Sequence, residues 1–425
     1  MAGARRILAG GSASEALQAA LSTGNARRLA RRLAEMRGAA MKLGQLLSLE
    51  GPDLLPPEFA EALAVLRASA DTMPATQVRR VLGREYGRGW EAKFRDFDFE
   101  PLAAASIGQV HAATTREGQR IVLKIQYPGV ARSIDSDVDN VAALLRLLRL
   151  LPGEIDLSGL IEEAKRQLHQ EADYLAEAAS QTRYARLVAD DPGLRVPRVH
   201  PELTTRRLLA MDRIDGCAID AWADEGVGQP RRNRAAERLE RLLFRELFEF
   251  RFMQTDPNFA NYLVEPEDDR IALLDFGSTR EFPAVLTERY RRICRAVIAG
   301  DRTEVRKLAE EIGYLPEGER EDRAEGVVDL ILLVCEPLRH RGRYDFAGSG
   351  LLARARALGF ELVLERGFLH PPPPDTVFLH RKLVGSFLLC ARLGARIPVR
   401  ALIEPFLEAP QPEAEPDPAG GSPSP

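Results

Sequence analysis

The feature that most constrains this chain is the spacing of three polar residues around two short apolar runs. Asp256 and Asn261 lie in Thr255-Asp256-Pro257-Asn258-Phe259-Ala260-Asn261, directly after a helical pattern. Asp275 follows fourteen residues after Asn261, in Leu273-Leu274-Asp275-Phe276-Gly277. The runs 262–264 and 271–274 are hydrophobic with polar residues between them, and read as two short strands. Moving a phosphoryl group requires a carboxylate near the attacking group and oxygen ligands for magnesium bridging the phosphates. An Asp-x4-Asn loop followed by an aspartate at a strand end supplies both. Alone, Asp275 reads equally well as a turn aspartate; the pair at this spacing is specific.

The upstream half of such a site is also present. Lys124 sits in Val122-Leu123-Lys124-Ile125, an apolar strand pattern in which a lysine is costly unless it faces a charged partner. Taken alone it would be a snorkelling surface lysine. Sixteen residues earlier stands Gly108, in Ala103-Ala104-Ala105-Ser106-Ile107-Gly108-Gln109-Val110. This is A-x-A-x-x-G-x-V, a glycine-rich phosphate loop whose first two glycines are alanines. Small residues still let backbone N–H groups approach phosphate, but the added methyls restrict positive φ and stiffen the loop. Downstream, Glu171-Ala172-Asp173-Tyr174-Leu175-Ala176-Glu177 offers a carboxylate for the lysine. Asp173 and Glu177 are four apart and are expected to share a helix face, with Glu171 pointing elsewhere. The bland reading of this run is a solvated acidic helix face.

Composition excludes more than it selects. With 425 residues the chain can build two lobes around a large core. A net charge of -4 gives no reason to expect nucleic acid as a partner. The four cysteines are scattered without zinc-ligand spacing and are expected to be buried reduced thiols. No apolar run reaches the length of a membrane span; 327–335 and 383–390 are half of it. No secretory signal follows the Arg5-Arg6 pair. Residues 1–40 carry seven arginines against Glu15 and Glu35. That start suits a mitochondrial transit peptide, whereas heavy Arg, Ala and Gly usage throughout favours a bacterial cytoplasmic protein.

Along the chain, 14–47 has a helical stripe (Leu29, Leu33, Met36, Ala40, Leu43, Leu47), broken by Pro52, Pro56 and Pro57 before a second helical stretch at 58–68. Strand patterns at 106–112 and 121–126 are followed by helices expected over 134–151 and 157–189. Strand-like pieces return at 195–199 and 207–214. A helix is expected over 235–252, and helices again from 287 to 407. The Pro/Glu/Ser/Gly-rich end is expected to be disordered. These patterns divide the chain into an N-terminal helical extension (1–93), a small lobe with a helical insertion (94–214), a mainly helical lobe (215–408) and a tail (409–425). The fold class expected is α+β, a bilobal protein-kinase-like fold.

Taken together, the motifs resemble the UbiB/aarF-domain family of atypical kinases, in its ubiquinone-biosynthesis branch. The likeness runs from about Arg27 to Leu393. It rests on Met41-Lys42-Leu43-Gly44-Gln45, the alanine-rich loop, Lys124-Ile125-Gln126-Tyr127-Pro128-Gly129, Glu171-Ala172-Asp173 and Gln254-Thr255-Asp256-Pro257-Asn258. The resemblance implies ATP or ADP with Mg2+ as cofactors. Lys124 would contact the α/β-phosphates and Glu177 would hold it. Asn261 and Asp275 would bind the metal, and Asp256 would occupy the catalytic-base position. Ala103, Ala104 and Ala105, with Ser106, Gly108 and Val110, would cradle phosphate and tune nucleotide choice. Residues 211–214, including Asp212 and Ile214, would form the hinge near adenine. Lys42 and Gln45 would fold over the site near Glu171 and Asp173 and block protein substrates.

The resemblance also implies ubiquinone-biosynthesis enzymes or lipid precursors as partners. Many family members carry transmembrane helices, whereas this chain has no apolar run long enough for one, so its membrane contact would be peripheral, an anionic surface facing the basic N-terminal helix. That helix reads more readily as one buried by packing. The location expected is cytoplasmic, at most peripheral at a bacterial inner membrane, ahead of a mitochondrial matrix. Competing readings are a conventional protein kinase and a nucleotide-gated scaffold without catalysis. The retained Asp256, Asn261 and Asp275 speak against the scaffold.

Overall fold

The computed structural model describes residues 38, 39, 42, 72–147, 158–224, 226–368 and 370–408. Gln45, most of the 14–47 stripe, the 58–68 stretch and the tail lie outside them. The chain divides into two compact units. The first comprises residues up to Ile219 together with Ala260–Thr279; the second comprises Asp220–Phe259 and residues from Arg280 onward. Residues 260–279 therefore group with the N-terminal part, whereas the sequence segments placed them within 215–408. The expected α+β class is the one observed.

In the first unit, helix α1 (Ala75–Tyr86) precedes three antiparallel strands, β1 (Phe94–Ala104), β2 (Gly108–Thr115) and β3 (Arg120–Gln126). Helices α2 (Val130–Leu147), α3 (Ser158–Glu171) and α4 (Tyr174–Leu187) follow. Strand β4 (Leu194–Arg195) comes next, then β5 (Leu208–Asp212), which completes a sheet of order β1-β2-β3-β5. A second small sheet joins β4, β6 (Cys217–Ala218), β7 (Tyr262–Val264) and β8 (Ile271–Leu273) in the order β4-β8-β7-β6.

The two-residue period of β3 decides where Lys124 goes. Ile121, Leu123 and Ile125 are fully buried on the face that packs with Val78, Leu82, Trp90 and Phe94. Val122 packs on the opposite side, against the cluster of Ile134, Val138, Leu168 and Tyr174 from the helices. Lys124 shares the Val122 side, which brings it to the helices. Its cross-strand neighbours are Val110 on β2 and Leu209 on β5.

The second unit is mainly helical. It holds α5 (Gln229–Phe244), α6 (Ala284–Ala299), α7 (Arg302–Ile312), α8 (Glu321–Val334), α9 (Leu351–Phe360), α10 (Pro374–Arg392) and α11 (Val399–Leu407). Among the described residues no helix is long and apolar enough to cross a membrane. None of the four cysteines is in a disulfide; Cys390 is buried, whereas Cys217, Cys294 and Cys335 are half-buried, which corrects the expectation of full burial for those three.

Several boundaries differ from the sequence reading for identifiable reasons. The helix expected over 157–189 is two helices broken at Ala172-Asp173. Asp173 Oδ1 accepts the N–H groups of Leu175 and Ala176, each at 3.1 Å, so the aspartate starts α4 as its cap. The helix expected over 235–252 spans Gln229–Phe244 and then widens into a π-turn over Arg245–Phe250. The strand expected over 106–112 begins at Gly108 and reaches Thr115, paired with the longer β1.

Candidate functional site

Helix α4 presents Tyr174, Glu177, Gln181 and Tyr184 at helical spacing, all buried. Glu177 is 1% exposed, and its Oε1 and Oε2 accept from Lys124 Nζ at 2.8 and 3.0 Å. The same Nζ lies 3.3 Å from Asp275 Oδ2 and 5.2 Å from the Tyr174 ring centroid. One ammonium is thus held by two carboxylates and an aromatic face. Burial pushes the lysine's pKa down, but Asp275 and Glu177 outweigh it and hold it well above its ordinary value.

Asp275 is placed by the β7–β8 hairpin. Tyr262 pairs with Leu273, and the Leu274 N–H donates to Asn261 O at 3.0 Å, so Asn261 and Asp275 sit at the same end of the hairpin. The next residue, Phe276, is buried against Tyr184 of α4, with ring centroids 4.9 Å apart. Asp275 Oδ1 accepts the Gly277 N–H at 2.9 Å. Burial pushes the Asp275 carboxyl up, yet Lys124, the Gly277 N–H and Lys42 together hold it below the usual carboxylate value.

Gly277 marks the centre of the cluster. A Cβ there would lie 3.3 Å from Asp275 Oδ1, 3.5 Å from Glu177 Oε2 and 3.7 Å from Glu171 Cγ. Glu171 therefore does not point elsewhere, as its place in the acidic run suggested. Its Oε1 pairs with Lys42 Nζ, and its Oε2 accepts from Ser106 Oγ at 2.7 Å. The helix break at Asp173 turns Glu171 inward, and Asp173 itself serves the helix end.

The alanine-rich segment is less of a loop than its sequence suggested. Ala103 and Ala104 are exposed residues of β1 paired with Val110 and Gln109, and the Ala105 N–H donates to Gly108 O at 2.9 Å. Only 105–108 forms the turn. Gly108 is required by close approach: a Cβ there would overlap Ile125 O and lie 3.0 Å from Tyr174 Oη. Gly38, one helical turn before Lys42, packs on the same turn, a Cβ there lying 3.0 Å from Ser106 O.

The remaining sequence candidates have partners of their own. Asp212 ends β5 with Oδ1 2.8 Å from His200 Nε2, and Ile214 is half-buried just beyond. Asp256 belongs to the second unit, where Arg381 Nη2 donates to its Oδ1 at 2.7 Å. Sequence reasoning missed Tyr174 and Arg381. Tyr174 lies three residues before Glu177, and that helical spacing could have found it. Arg381 is 125 residues from its partner, and nothing local announces it.

Asp275 and Asn261 are hard oxygen donors at one end of one hairpin, and the Asp275 carboxylate is 36% exposed. That donor set fits Mg2+, which keeps waters and phosphate oxygens among its ligands. Among the described residues no group of three or more His, Cys, Asp or Glu side chains forms a metal site by itself.

The Lys124–Glu177 pair yields a pH test. Burial pushes the Glu177 carboxyl up to about 7 from 4.5, against the pull of Lys124. Between those values the folded chain keeps a proton that the unfolded chain has lost, so stability falls as pH rises through that window. In denaturant titrations from about pH 4 to about pH 8, wild type should lose stability relative to Glu177→Gln up to about pH 7 and then run parallel to it. Parallel curves throughout would remove the shift.

Residues 65–309 match the model of the ABC1 atypical kinase-like domain. The chain is 41% identical over 401 residues to a Rattus norvegicus protein named atypical kinase COQ8B, mitochondrial, covering 94% of this chain and 75% of that one. It is 40% identical over 379 residues to atypical kinase COQ8, mitochondrial, of Saccharomyces cerevisiae, covering 89% and 75%. Among solved structures, Rv3197 of Mycobacterium tuberculosis, solved in complex with erythromycin, superposes with a TM-score of 0.62 at 24% identity. It covers 92% of this chain and 98% of its own, and shows a shared fold. The mitochondrial names of the rat and yeast relatives overturn the expectation of a bacterial cytoplasmic or inner-membrane protein. That expectation rested on Arg, Ala and Gly usage, which sets charge and solubility rather than compartment.

Proposed function

Because the chain belongs to the ABC1/UbiB atypical kinase family, we propose that it binds Mg-ATP or Mg-ADP around Lys124 and that its turnover supports ubiquinone (coenzyme Q) biosynthesis. The observation that carries the reading is the Lys124 ammonium held between Glu177 and Asp275. A lysine so fixed offers a charged donor to phosphate oxygens without reorganising at the moment of reaction. Asp275 and Asn261 would hold magnesium, which when bound supplies charge neutralisation on the phosphates. The 105–108 turn with Val110 would line the phosphates, and 211–214 would flank the base. Asp256, paired with Arg381, takes the base position by its place in the motif.

The ubiquinone reading rests on the Gln254-to-Asn258 and alanine-loop motifs, and its partners would be enzymes or lipid precursors of that pathway. Lys42 on Glu171 supports an N-terminal segment that keeps protein substrates out. The test follows labelled γ-phosphate from Mg-ATP with a phenolic quinone-precursor mimic and, separately, a generic protein acceptor. Release as inorganic phosphate, raised by the phenol, is the expected result. Removing residues 1–50 should then allow label onto protein. Label on protein from the intact chain would make it a conventional protein kinase.

A further inference from the structure

Helix α10 meets the Gln254–Pro257 segment at successive residues. Lys382, 6% exposed, places Nζ 3.1 Å from Gln254 Oε1 and 3.5 Å from Glu246 Oε2. Glu246 Oε1 in turn accepts the Gln254 N–H at 2.8 Å. A buried ammonium–carboxylate pair thus holds both the side chain and the main chain of Gln254, two residues before Asp256. Three residues on from Lys382, on the same helix face, is Gly385. A Cβ there would overlap Pro257 Cβ and come within 2.8 Å of its Cγ. Arg381, four residues before Gly385, donates to Asp256 itself.

Neither Lys382 nor Gly385 is the choice that stability alone would make. A buried lysine–glutamate pair is often no better than well-packed apolar residues of the same volume. Glycine within a 19-residue helix weakens that helix relative to alanine. Both residues instead fix where the segment beside Asp256 can lie. We infer that Lys382 and Gly385 are positioning residues for Asp256, seating its loop on α10 from the residue pair before it and the proline after it. The inference rests on the reading of Asp256 as the base-position residue.

Gly385→Ala in the full chain tests this, with three readouts: kcat for γ-phosphate release, Kd for Mg-ADP, and amide hydrogen exchange of 252–259. A displaced loop should lower kcat about 100-fold. The Kd should stay within about threefold, because Lys124, Glu177 and Asp275 belong to the other unit. Exchange of the segment should rise about tenfold or more. Pro257→Gly added to Gly385→Ala removes the overlap and should recover part of the lost kcat, which no general packing defect would allow. Lys382→Met with Glu246→Gln should behave as Gly385→Ala does, without leaving a lone buried charge. Wild-type kcat and wild-type exchange in these variants would overturn the inference. If wild type itself shows no phosphate release that Asp275→Asn removes, the functional reading fails instead, and the exchange of 252–259 still decides the positioning.

Discussion

Lys124→Ala should weaken Mg-ATP binding by about 30- to 150-fold, the roughly 2–3 kcal/mol lost when one member of a desolvated charge contact is truncated. Lys124 Nζ donates to Glu177 at 2.8 Å and lies 3.3 Å from Asp275 Oδ2, whereas Glu171 pairs with Lys42. The same change should destabilise the free protein by about 3 kcal/mol, because Glu177, 1% exposed, is left without its partner. A double-mutant cycle separates the two effects. Lys124→Ala with Glu177→Gln should regain much of the stability by denaturant titration while keeping the affinity loss by calorimetry. Unchanged affinity in Lys124→Ala would take Lys124 out of the phosphate site.

Asp275→Asn should erase the magnesium-dependent part of nucleotide stabilisation. The asparagine keeps the shape and the acceptor for the Gly277 N–H but removes the charge that a hard cation needs. At ligand about 100-fold above Kd, wild type gains about 2.7 kcal/mol, which shows as a rise in Tm. The variant should show the same small shift with and without magnesium. Its free-state stability should change less than that of Lys124→Ala, since Asp275 is 36% exposed and partly solvated. A wild-type magnesium shift in Asp275→Asn would place the metal elsewhere.

What was legible in the chain was what is encoded locally. The Asp256, Asn261 and Asp275 spacing predicts a loop, two strands and an aspartate at their end, and the β7–β8 hairpin brings Asn261 and Asp275 to one end. Strand alternation around Lys124 is equally local. Two further local signals are masked by their surroundings. Asp173 followed by Glu177 hides a helix cap inside an acidic run, and the Phe97/Phe99 alternation of β1 is masked by Asp and Glu, which are poor strand formers. Ser106 on Glu171 and Arg381 on Asp256 were not legible, because they join residues 65 and 125 apart and depend on the finished fold. The nearness of Lys42 to Glu171, 129 residues apart, was implied by the resemblance and not by local pattern.

The most direct test of the central claim is the release of labelled phosphate from γ-labelled Mg-ATP, followed in parallel on wild type, Asp275→Asn and Asp256→Asn. The expected result is release by wild type and none above background from either variant, with Asp256→Asn still binding nucleotide as wild type does. Equal release from all three would contradict the phosphoryl-transfer roles proposed for Asp275 and Asp256.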